Sequence, residues 1–346
     1  MKRLLISIIT LTLLLSACAP AATPAPTAAP TKPAATAAAP TAAPTAAPTA
    51  APTVAPTAVP TAAPTAAPTA AALKDGMGRS VSLPASVKKI ISLAPSNTEI
   101  LFAVGAGAQV IGRDEFSDYP AEAKQVPSVG GSMGKYNFEQ IAKLQPDLVL
   151  ASSLNTSEQV KALEDLKLTV YVLGNPTTLD GLYANLTTVG GMTGHKDEAA
   201  KLVASLQARQ KKVVDALANL KTRPTVFYEL DASEPAKPFT VGANTFIDTL
   251  IKMAGGENIA ASLKGDYPQI SQEELLAKNP DIILLGDAAF GASPDQVAKR
   301  AGWNVIKAVK NNKVYAFDDN LVSRPGPRLV EGLETLAKLL QPDLVK

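Results

Sequence analysis

The chain contains the same phrase of twelve residues twice, as EQIAKLQPDLVL from Glu139 to Leu150 and as EELLAKNPDIIL from Glu273 to Leu284. In each copy, apolar residues recur at helical spacing and the pattern stops at a proline. The Pro-Asp pair that follows cannot continue a helix, and the apolar run after it has the length of a buried strand. The repeat therefore predicts one helix-to-strand unit that is built twice.

Each copy opens its predicted helix with a glutamate, Glu139 in the first and Glu273 in the second. Two lobes of like construction are expected from this duplication. Paired lobes usually leave a concave site between them, and such sites hold small molecules. The repeat thus favours a protein that clasps a ligand between two similar halves.

Residues 1–17 have the features of an export signal: a basic start, an apolar run from Leu4 to Leu15 and small residues before Cys18. The run is too short to be kept as a membrane span. The ending Leu-Ser-Ala-Cys resembles the lipobox of bacterial lipoproteins, which implies that Cys18 carries lipid. An ordinary cleavage site beside a chance cysteine is the alternative. We expect an exported chain, anchored to the outer face of the cytoplasmic membrane or lying in the periplasm.

Residues 18–72 consist, after Cys18, almost only of Ala, Pro and Thr, with proline at every fourth position from Pro40 to Pro68. Such a tract has no large side chains to bury and is predicted to stay unfolded. At about 3.1 Å per residue it reaches at most roughly 150 Å. A tether and a neutral expansion are both compatible with this composition, and O-glycosylation of the threonines stays open.

The remaining body carries little net charge. The formal charge of +2 includes Lys2 and Arg3, which leave with the signal. No basic run or aromatic-interleaved patch occurs, and this argues against a nucleic-acid partner. The single cysteine of the chain also rules out an internal disulfide.

The body alternates predicted strands and helices, which is typical of α/β units with mainly parallel pairing. Between the two halves, residues 197–220 contain no Gly or Pro and predict one helix of roughly 36 Å, long enough to span two domains. We therefore expect an N-terminal lobe at 73–194, an interlobe helix at 195–221 and a C-terminal lobe at 222–346.

Besides the repeat, five segments carry a resemblance to a known family: Ile91 to Glu99, Ser117 to Pro120, Pro238 with Phe239, Gly255 to Asn258, and Tyr267 to Ser271. They resemble substrate-binding proteins of the cobalamin and ferric-siderophore ABC importers, and are most similar to the cobalamin-binding members. The resemblance implies two Rossmann-like α/β lobes joined by a single long helix, as in class III periplasmic binding proteins. Little hinge closure is expected of such a fold.

The resemblance also gives the two glutamates a role. In the family, one carboxylate per lobe meets arginines on the two halves of the permease, and Glu139 and Glu273 match these positions. The alternative is that each glutamate merely complements its helix dipole, worth roughly 0.3 to 1 kcal/mol. Glu274, beside Glu273, leaves the second assignment open. The implied partners are a permease dimer with its ATPase subunits.

Candidate ligand-binding residues follow from the same resemblance, and only two of the family's aromatic positions keep a ring here, Phe116 and Tyr267. Aromatic faces hold a flat macrocycle well, and Met adapts to such a surface. Tyr136 could supply one missing ring. The predicted ligand-binding residues are Asn97, Phe116, Met133, Tyr136, Ser152, Leu230, Tyr267, Asn320 and Arg324.

An anionic ferric chelate would need cationic partners, and Arg113, Lys135, Arg324 and Arg328 lie near predicted cleft loops. For Arg324 and Arg328 we favour solvated positions around a helix start. Haem needs an axial ligand, and the single histidine, His195, is better explained by local chemistry at a helix start. The expected ligand order is a corrinoid first, a ferric siderophore second and haem third.

The sequence contains no HExxH, GxSxG, Walker-type or CxxC pattern. We therefore predict no catalytic residues, no resident metal and no cofactor. A tethered cell-surface adhesion module is the alternative from a different class. The hypothesis is a monomeric, membrane-anchored receptor that binds one metal chelate and delivers it to an ABC permease.

Overall fold

The computed structural model describes residues 72–131 and 134–345. The predicted signal peptide, Cys18 and all but the last residue of the predicted tether lie outside these ranges, as does Met133. The described chain begins with a short antiparallel pair, β1 (Leu73–Lys74) and β2 (Ser80–Val81). None of the helices in these ranges combines the length and apolar character that a membrane crossing needs.

The N-terminal lobe is built on four parallel strands in the spatial order β4-β3-β5-β6. Three of the strands are buried along their whole length, as expected for a parallel sheet covered on both faces. The elements are β3 (Ile90–Ser92), α1 (Pro95–Ala103), β4 (Val110–Arg113), α2 (Phe138–Lys143), β5 (Leu148–Ser152), α3 (Ser157–Asp165) and β6 (Val170–Leu173).

The C-terminal lobe repeats this plan. Its parallel strands run in the order β9-β7-β10-β11, and β8 is an antiparallel addition beside β7. The strands are β7 (Thr225–Asp231), β8 (Phe239–Thr240), β9 (Glu257–Asn258), β10 (Ile282–Leu285) and β11 (Val314–Ala316). The helices are α6 (Phe246–Met253), α7 (Gln272–Lys278), α8 (Pro294–Ala298), α9 (Lys307–Lys310), α10 (Asn320–Ser323) and α11 (Leu329–Leu340).

Two helices lie between the lobes in sequence. The longer one, α5 (Lys196–Ala216), has 21 residues and is therefore about 31 Å long. It ends before Leu220, because the chain winds into a tight turn in which the Leu220 N–H donates to the Leu217 carbonyl. This is the predicted interlobe helix.

A second helix, α4 (Leu179–Thr193), was absent from the sequence interpretation. Its glycines lower helix propensity, so the pattern was weak. Gly190 has a packing role, since a Cβ atom there would lie only 2.4 Å from the Cβ of Ala199 on α5. The missing side chain lets the two helices approach closely.

The two lobes share one apolar core. A continuous cluster of buried side chains runs from Leu148 in the first sheet, through Leu206 and Val213 on α5, to Val226 and Leu333 in the second lobe. Separate clusters cover the outer face of each sheet. On the surface, Arg209 of α5 holds Glu334 of α11 with two hydrogen bonds of 2.9 and 2.6 Å. The relative position of the lobes is therefore fixed by packing as well as by the chain connection.

The two copies of the repeated phrase have the same local structure. Asn137 caps α2 by accepting from the Gln140 N–H, and Ser271 caps α7 by accepting from the Glu274 N–H. Each helix ends at a left-handed residue just before its proline, Gln145 with φ 49° and Asn279 with φ 45°. The predicted duplication of a helix-to-strand unit is confirmed.

The aspartate of each copy fixes the start of the neighbouring central strand. Asp147 accepts from the Lys88 and Lys89 N–H groups at 2.8 and 2.9 Å, beside β3. Asp281 accepts from the N–H and hydroxyl of Thr225, the first residue of β7, at 2.9 and 2.8 Å. The Pro-Asp pair is conserved between the copies because it both stops a helix and sets the register of two strands.

We predict that Asp281→Asn lowers the free energy of unfolding by about 1 to 2 kcal/mol, since the carboxylate is partly exposed and its hydrogen bonds are charge-assisted. Partial burial alone would raise the pKa of Asp281, but its bonds from Thr225 and the charge of Lys307 bring the pKa below the ordinary value. The stabilisation is therefore present above about pH 4 and lost as the pH falls through the folded-state pKa.

Urea denaturation at about pH 7 and about pH 3 checks this prediction, with the exposed Asp343→Asn as control. The difference between wild type and Asp281→Asn should narrow at the acidic pH. A difference that is equal at both pH values would contradict the assigned role of the carboxylate.

Candidate functional site

A cavity of about 280 Å³ lies between the two lobes, where the carboxyl ends of the first-lobe strands face the second lobe. In open α/β sheets ligands bind outside these strand ends. A smaller cavity of about 120 Å³ adjoins it and shares four of its residues, Asn175, Tyr267, Ser323 and Pro325. The interlobe cavity is lined by Ala94, Pro95, Ser96, Asn97, Ser152, Ser153, Leu154, Leu173, Gly174, Asn175, Asn185, Tyr267, Ser323, Arg324 and Pro325.

Asn97 is one of the residues at this cavity, but its amide group serves the fold. Its side-chain N–H groups donate to the carbonyls of Leu150 and Ala151 at 3.1 and 2.9 Å. This bond ties α1 to the end of β5 and brings Ser152 to the cavity wall. Helix α1 begins at Pro95, where proline is tolerated in the first turn, and its N-cap residue is Ala94, so Asn97 already lies inside the helix.

A buried chain of polar groups shapes the loop after β4. Ser117 donates to Asp114 and lies 2.7 Å from the Thr98 hydroxyl, which in turn donates to Ser92. Burial raises the pKa of the Asp114 carboxyl, although the hydrogen bond from Ser117 opposes this. The network holds the loop that presents Phe116.

Four large apolar or aromatic side chains project from loops at this end of the lobes. Phe116 follows β4, Leu154 follows β5, Phe290 follows β10 and Tyr267 precedes α7. They are 54%, 87%, 92% and 57% exposed, respectively. The sequence interpretation missed Leu154 and Phe290, whose signal is an apolar residue in the turn directly after a buried strand.

Buried ion pairs join the lobes beside the cavity. Glu99 on α1 is 1% exposed and accepts from Arg328 at 2.9 and 2.5 Å and from Arg324 at 3.4 Å. Arg324 also donates to Asp118 at 2.6 Å, and Arg328 lies over the Tyr119 ring at 4.1 Å. The expectation that Arg324 and Arg328 are solvated is wrong, because a carboxylate from the other lobe draws both into the interface.

These contacts neutralise the two arginines within the protein. Partial burial alone would raise the pKa of Asp118, but the bond and charge of Arg324 lower it. Gly326 makes room for the pairing, since a Cβ atom there would lie 3.2 Å from Oε2 of Glu99. A ligand in the cavity therefore meets an arginine whose charge is already matched.

A third cavity, which we call the C-lobe cavity, has a volume of about 560 Å³ and lies at the carboxyl ends of β7 and β10. Beneath this cavity, the fully buried Glu229 forms a bidentate ion pair with Arg300, and one of the two hydrogen bonds is 2.8 Å long. Burial raises the pKa of Glu229, while Arg300 lowers it. The lining residues are Leu230, Asp231, Ala232, Ser233, Asp287, Phe290, Gly291, Ala292, Gln296 and Arg300.

The other predicted ligand-binding residues are dispersed. Leu230 lines the C-lobe cavity, half-buried. The Tyr136 hydroxyl donates to the Leu93 carbonyl at 2.9 Å, and the ring lines none of the three cavities. Asn320 begins α10, donates to Asp318 and lines none of them either. Met133 lies outside the described residues.

The remaining cationic candidates and the histidine lie away from these cavities. The Arg113 guanidinium donates to three backbone carbonyls of its own loop region, and Lys135 is exposed. His195 is the N-cap residue of α5, with Nε2 3.2 Å from Nε2 of Gln109. Within residues 72–131 and 134–345, no three His, Cys, Asp or Glu side chains are grouped so as to hold a metal ion.

The two glutamates of the repeat are exposed and occupy the same position, the second residue of α2 and of α7. Neither forms a salt bridge with any residue that the structure describes. Glu274, in contrast, pairs with Lys278 at 3.7 Å. Of the two adjacent glutamates, Glu273 is therefore the more available to a partner.

Two similar α/β lobes, one long connecting helix and a cavity between the lobes define a two-lobed binding protein, and the predicted fold class is confirmed. Residues 90–321 match the periplasmic binding protein family, and the chain belongs to that family. Its members are solute-binding proteins rather than enzymes.

Individual relatives agree with the family. The chain is 34% identical over 277 residues to the uncharacterized ABC transporter substrate-binding lipoprotein YvrC of Bacillus subtilis, covering 79% of this chain and 86% of that protein. It is 30% identical over 270 residues to a cobalamin-binding protein of Halobacterium salinarum, covering 76% and 72%. The resemblance read from the sequence is thereby confirmed.

Solved structures share the fold. The periplasmic vitamin B12 binding protein BtuF of Vibrio cholerae is 28% identical with a TM-score of 0.64, over 74% of this chain and 97% of that one. The apo form of the periplasmic heme-binding protein RhuT from Roseiflexus is 26% identical with a TM-score of 0.66, over 75% and 100%. Proteins with different ligands thus share this architecture.

We predict that Glu99→Gln lowers the free energy of unfolding by about 3 to 5 kcal/mol, because it leaves the largely buried Arg328 without a carboxylate partner and Arg324 with Asp118 alone. Urea denaturation measures the change. The exposed Glu122→Gln, which breaks no ion pair in the described chain, is the control and should change stability by less than about 0.5 kcal/mol. A Glu99→Gln protein as stable as the control would contradict the structural role of this interlobe pair.

Proposed function

We propose that the chain is the substrate-binding component of an ABC importer and that its ligand is a corrinoid, cobalamin or a close relative. The observation that carries the ligand assignment is that the arginines at the cleft already form ion pairs within the protein. Arg324, Arg328 and Arg300 are each paired with a carboxylate of the protein. An anionic chelate would have to break such pairs, and separating a buried pair is costly.

The uncharged side chains around the cleft suit a neutral macrocycle. Phe116, Leu154, Tyr267 and Phe290 offer exposed apolar faces around the cleft. Aromatic and aliphatic faces of this kind bury a flat, largely apolar ring system well. Asn175, Asn185 and Ser152 supply neutral hydrogen-bonding groups at the interlobe cavity. The cobalamin-binding relative supports the same ligand class.

The shared core of the lobes supports binding with little hinge closure. Because the core runs through α5 into both sheets, moving one lobe against the other would open packed apolar surface. A ligand is then held by a largely preformed cleft, which lowers the ordering cost of binding. Selectivity would lie in the loops at the strand ends.

Delivery to the permease would use Glu139 and Glu273. They are exposed, lie one on each lobe and occupy equivalent helix positions. Two equivalent anionic points suit a partner with two-fold symmetry, and charges of this kind steer docking. We further propose that lipid on Cys18 holds the receptor at the membrane, in keeping with the lipoprotein name of its Bacillus relative.

We predict saturable binding of cyanocobalamin or dicyanocobinamide by the purified full-length chain, with one molecule per chain. Equilibrium dialysis followed by corrinoid absorbance measures it, and quenching of the single tryptophan, Trp303, gives an independent signal. Ferric hydroxamates and haem are the competitors. Saturable binding of one of these with no corrinoid binding would overturn the ligand assignment.

We predict that the double variant Glu139→Lys and Glu273→Lys abolishes corrinoid uptake while leaving the dissociation constant for the ligand unchanged. The measurement is growth on limiting corrinoid in cells that carry the chain's own importer. The matched control is Glu158→Lys with Asp295→Lys, which reverses acidic residues at the same second position of α3 and α8.

Both double variants lose similar helix-dipole energy, so their stabilities should fall alike. Only the Glu139 and Glu273 pair should affect uptake. Equal uptake by the two double variants would leave the glutamates with a helix-dipole role alone.

A further inference from the structure

We propose that the N-terminus of α1, together with the Ser96 hydroxyl, binds a phosphodiester group of the ligand in the interlobe cavity. This inference rests on the proposed function and narrows its substrate to a corrinoid with a nucleotide loop, which cobalamin has and cobinamide lacks. The phosphodiester of that loop is an anionic group with strong acceptor oxygens. Cyanocobalamin as a whole stays neutral, because this charge balances the positive charge of its cobalt–corrin centre.

The first turn of α1 forms one wall of the interlobe cavity. The N-cap residue Ala94 and the first three helical residues, Pro95, Ser96 and Asn97, all line it. Helix α1 has nine residues, and no side chain caps its start. The first N–H groups of a helix have no partner within the helix, and the helix dipole is positive at this end. The cavity therefore faces the end of α1 that attracts anions.

Two backbone N–H groups of this turn are free to donate to a ligand. The Thr98 N–H donates to the Ala94 carbonyl at 3.1 Å, and Pro95 has no N–H. In the part of the chain that the structure describes, the N–H groups of Ser96 and Asn97 have no acceptor. Backbone N–H groups at a helix start are common ligands of phosphate groups.

The Ser96 hydroxyl adds a third donor. Ser96 is 8% exposed, and its side chain forms no hydrogen bond with the described residues. Among those residues, only Gln109 and Asp287 carry a side-chain oxygen that lacks a partner and is also closed off from solvent. The Ser96 hydroxyl is therefore open to the cavity that the residue lines. Because nearly buried polar groups almost always have a partner, this hydroxyl points to a ligand.

The charges around the cavity favour an anionic acceptor. None of the described residues that line it is acidic, and Arg324 is the single basic one. Glu99 lies one turn further along α1, but Arg324 and Arg328 match its charge. The C-lobe cavity differs, since Asp231 and Asp287 line it. A phosphodiester would thus be held in the interlobe cavity by neutral donors and the helix dipole, and no internal ion pair has to break.

The size of the cavity suits one part of a corrinoid. Its volume of about 280 Å³ is at the lower limit for a pocket that holds a drug-sized ligand. The nucleotide loop would enter it while the corrin ring lies against the exposed rings of Phe116 and Tyr267 at the cleft. Ser153 and Asn175, exposed in the lining, are hydrogen-bonding groups for the ribose of the loop.

The test compares cyanocobalamin with dicyanocobinamide, which lacks the nucleotide loop, on variants of the full-length chain. Ser96→Ala should weaken cyanocobalamin binding about tenfold, because a hydrogen bond to a charged group is lost. The dissociation constant for dicyanocobinamide should not change. Ser96→Asp should weaken cyanocobalamin binding further, since it places a like charge beside the phosphodiester. Equilibrium dialysis gives each dissociation constant.

The matched controls are Ser157→Ala and Ser157→Asp. Ser157 is the first residue of α3, which also has nine residues, and it lines none of the three cavities. Both controls should bind the two corrinoids as wild type does. Phosphorus NMR adds a direct readout, since the resonance of bound cyanocobalamin should move back toward its free value in Ser96→Ala. Urea denaturation should find Ser96→Ala as stable as wild type, because its hydroxyl bonds no protein group.

The outcomes separate the two proposals. If wild type binds neither corrinoid, the proposed function fails and this inference fails with it. If wild type binds cyanocobalamin and both Ser96 variants keep its dissociation constant, the inference alone is overturned. An equal loss for both corrinoids would also overturn it, because Ser96 would then shape the cleft without contacting the phosphodiester. Should Ser96→Asp not fold, Ser96→Ala decides.

Discussion

The pairing of Glu99 with Arg324 and Arg328 is the contact on which the binding site depends. A carboxylate on the first helix of one lobe is buried against two guanidinium groups from the start of the last helix of the other lobe. Removing a single partner from such a group leaves a buried charge unmatched, so the three residues act as a unit. The same pairing also determines the electrostatics of the cleft, because it uses the cations that would otherwise attract an anionic ligand.

The interlobe pair acts together with the shared apolar core. Leu206 and Val213 on α5 connect the two sheets through one continuous cluster, so the lobes behave as parts of one packed body. Under the proposed function, recognition would fall to the loops at the strand ends, which carry the exposed side chains of Phe116, Leu154, Tyr267 and Phe290. Such a cleft would be preorganised for binding. Its specificity would depend on the loop donors and acceptors that have no partner within the protein.

The sequence predicted the architecture well because the relevant signals are local. Helical spacing, the Pro-Asp stop and the apolar runs are properties of neighbouring residues, and they gave the two lobes, the strands of the repeat and the long α5 helix. Helix α4 was missed because its glycines weaken the local pattern, although Gly190 is required for contact with Ala199. The two aspartates of the repeat were identified in sequence, but their bonds to the starts of β3 and β7 depend on strands far away in the chain.

The sequence by itself determined the duplication, the α/β class and the equivalent positions of Glu139 and Glu273, since each follows from short-range periodicity or from one repeated phrase. Only the tertiary structure determined which cationic side chains at the cleft are paired with carboxylates of the protein. Arg324 and Arg328 lie in a segment of polar and turn-forming residues, for which the sequence predicts solvated side chains. In the structure they donate to Glu99, which lies more than two hundred positions earlier in the chain and on the other side of the interface.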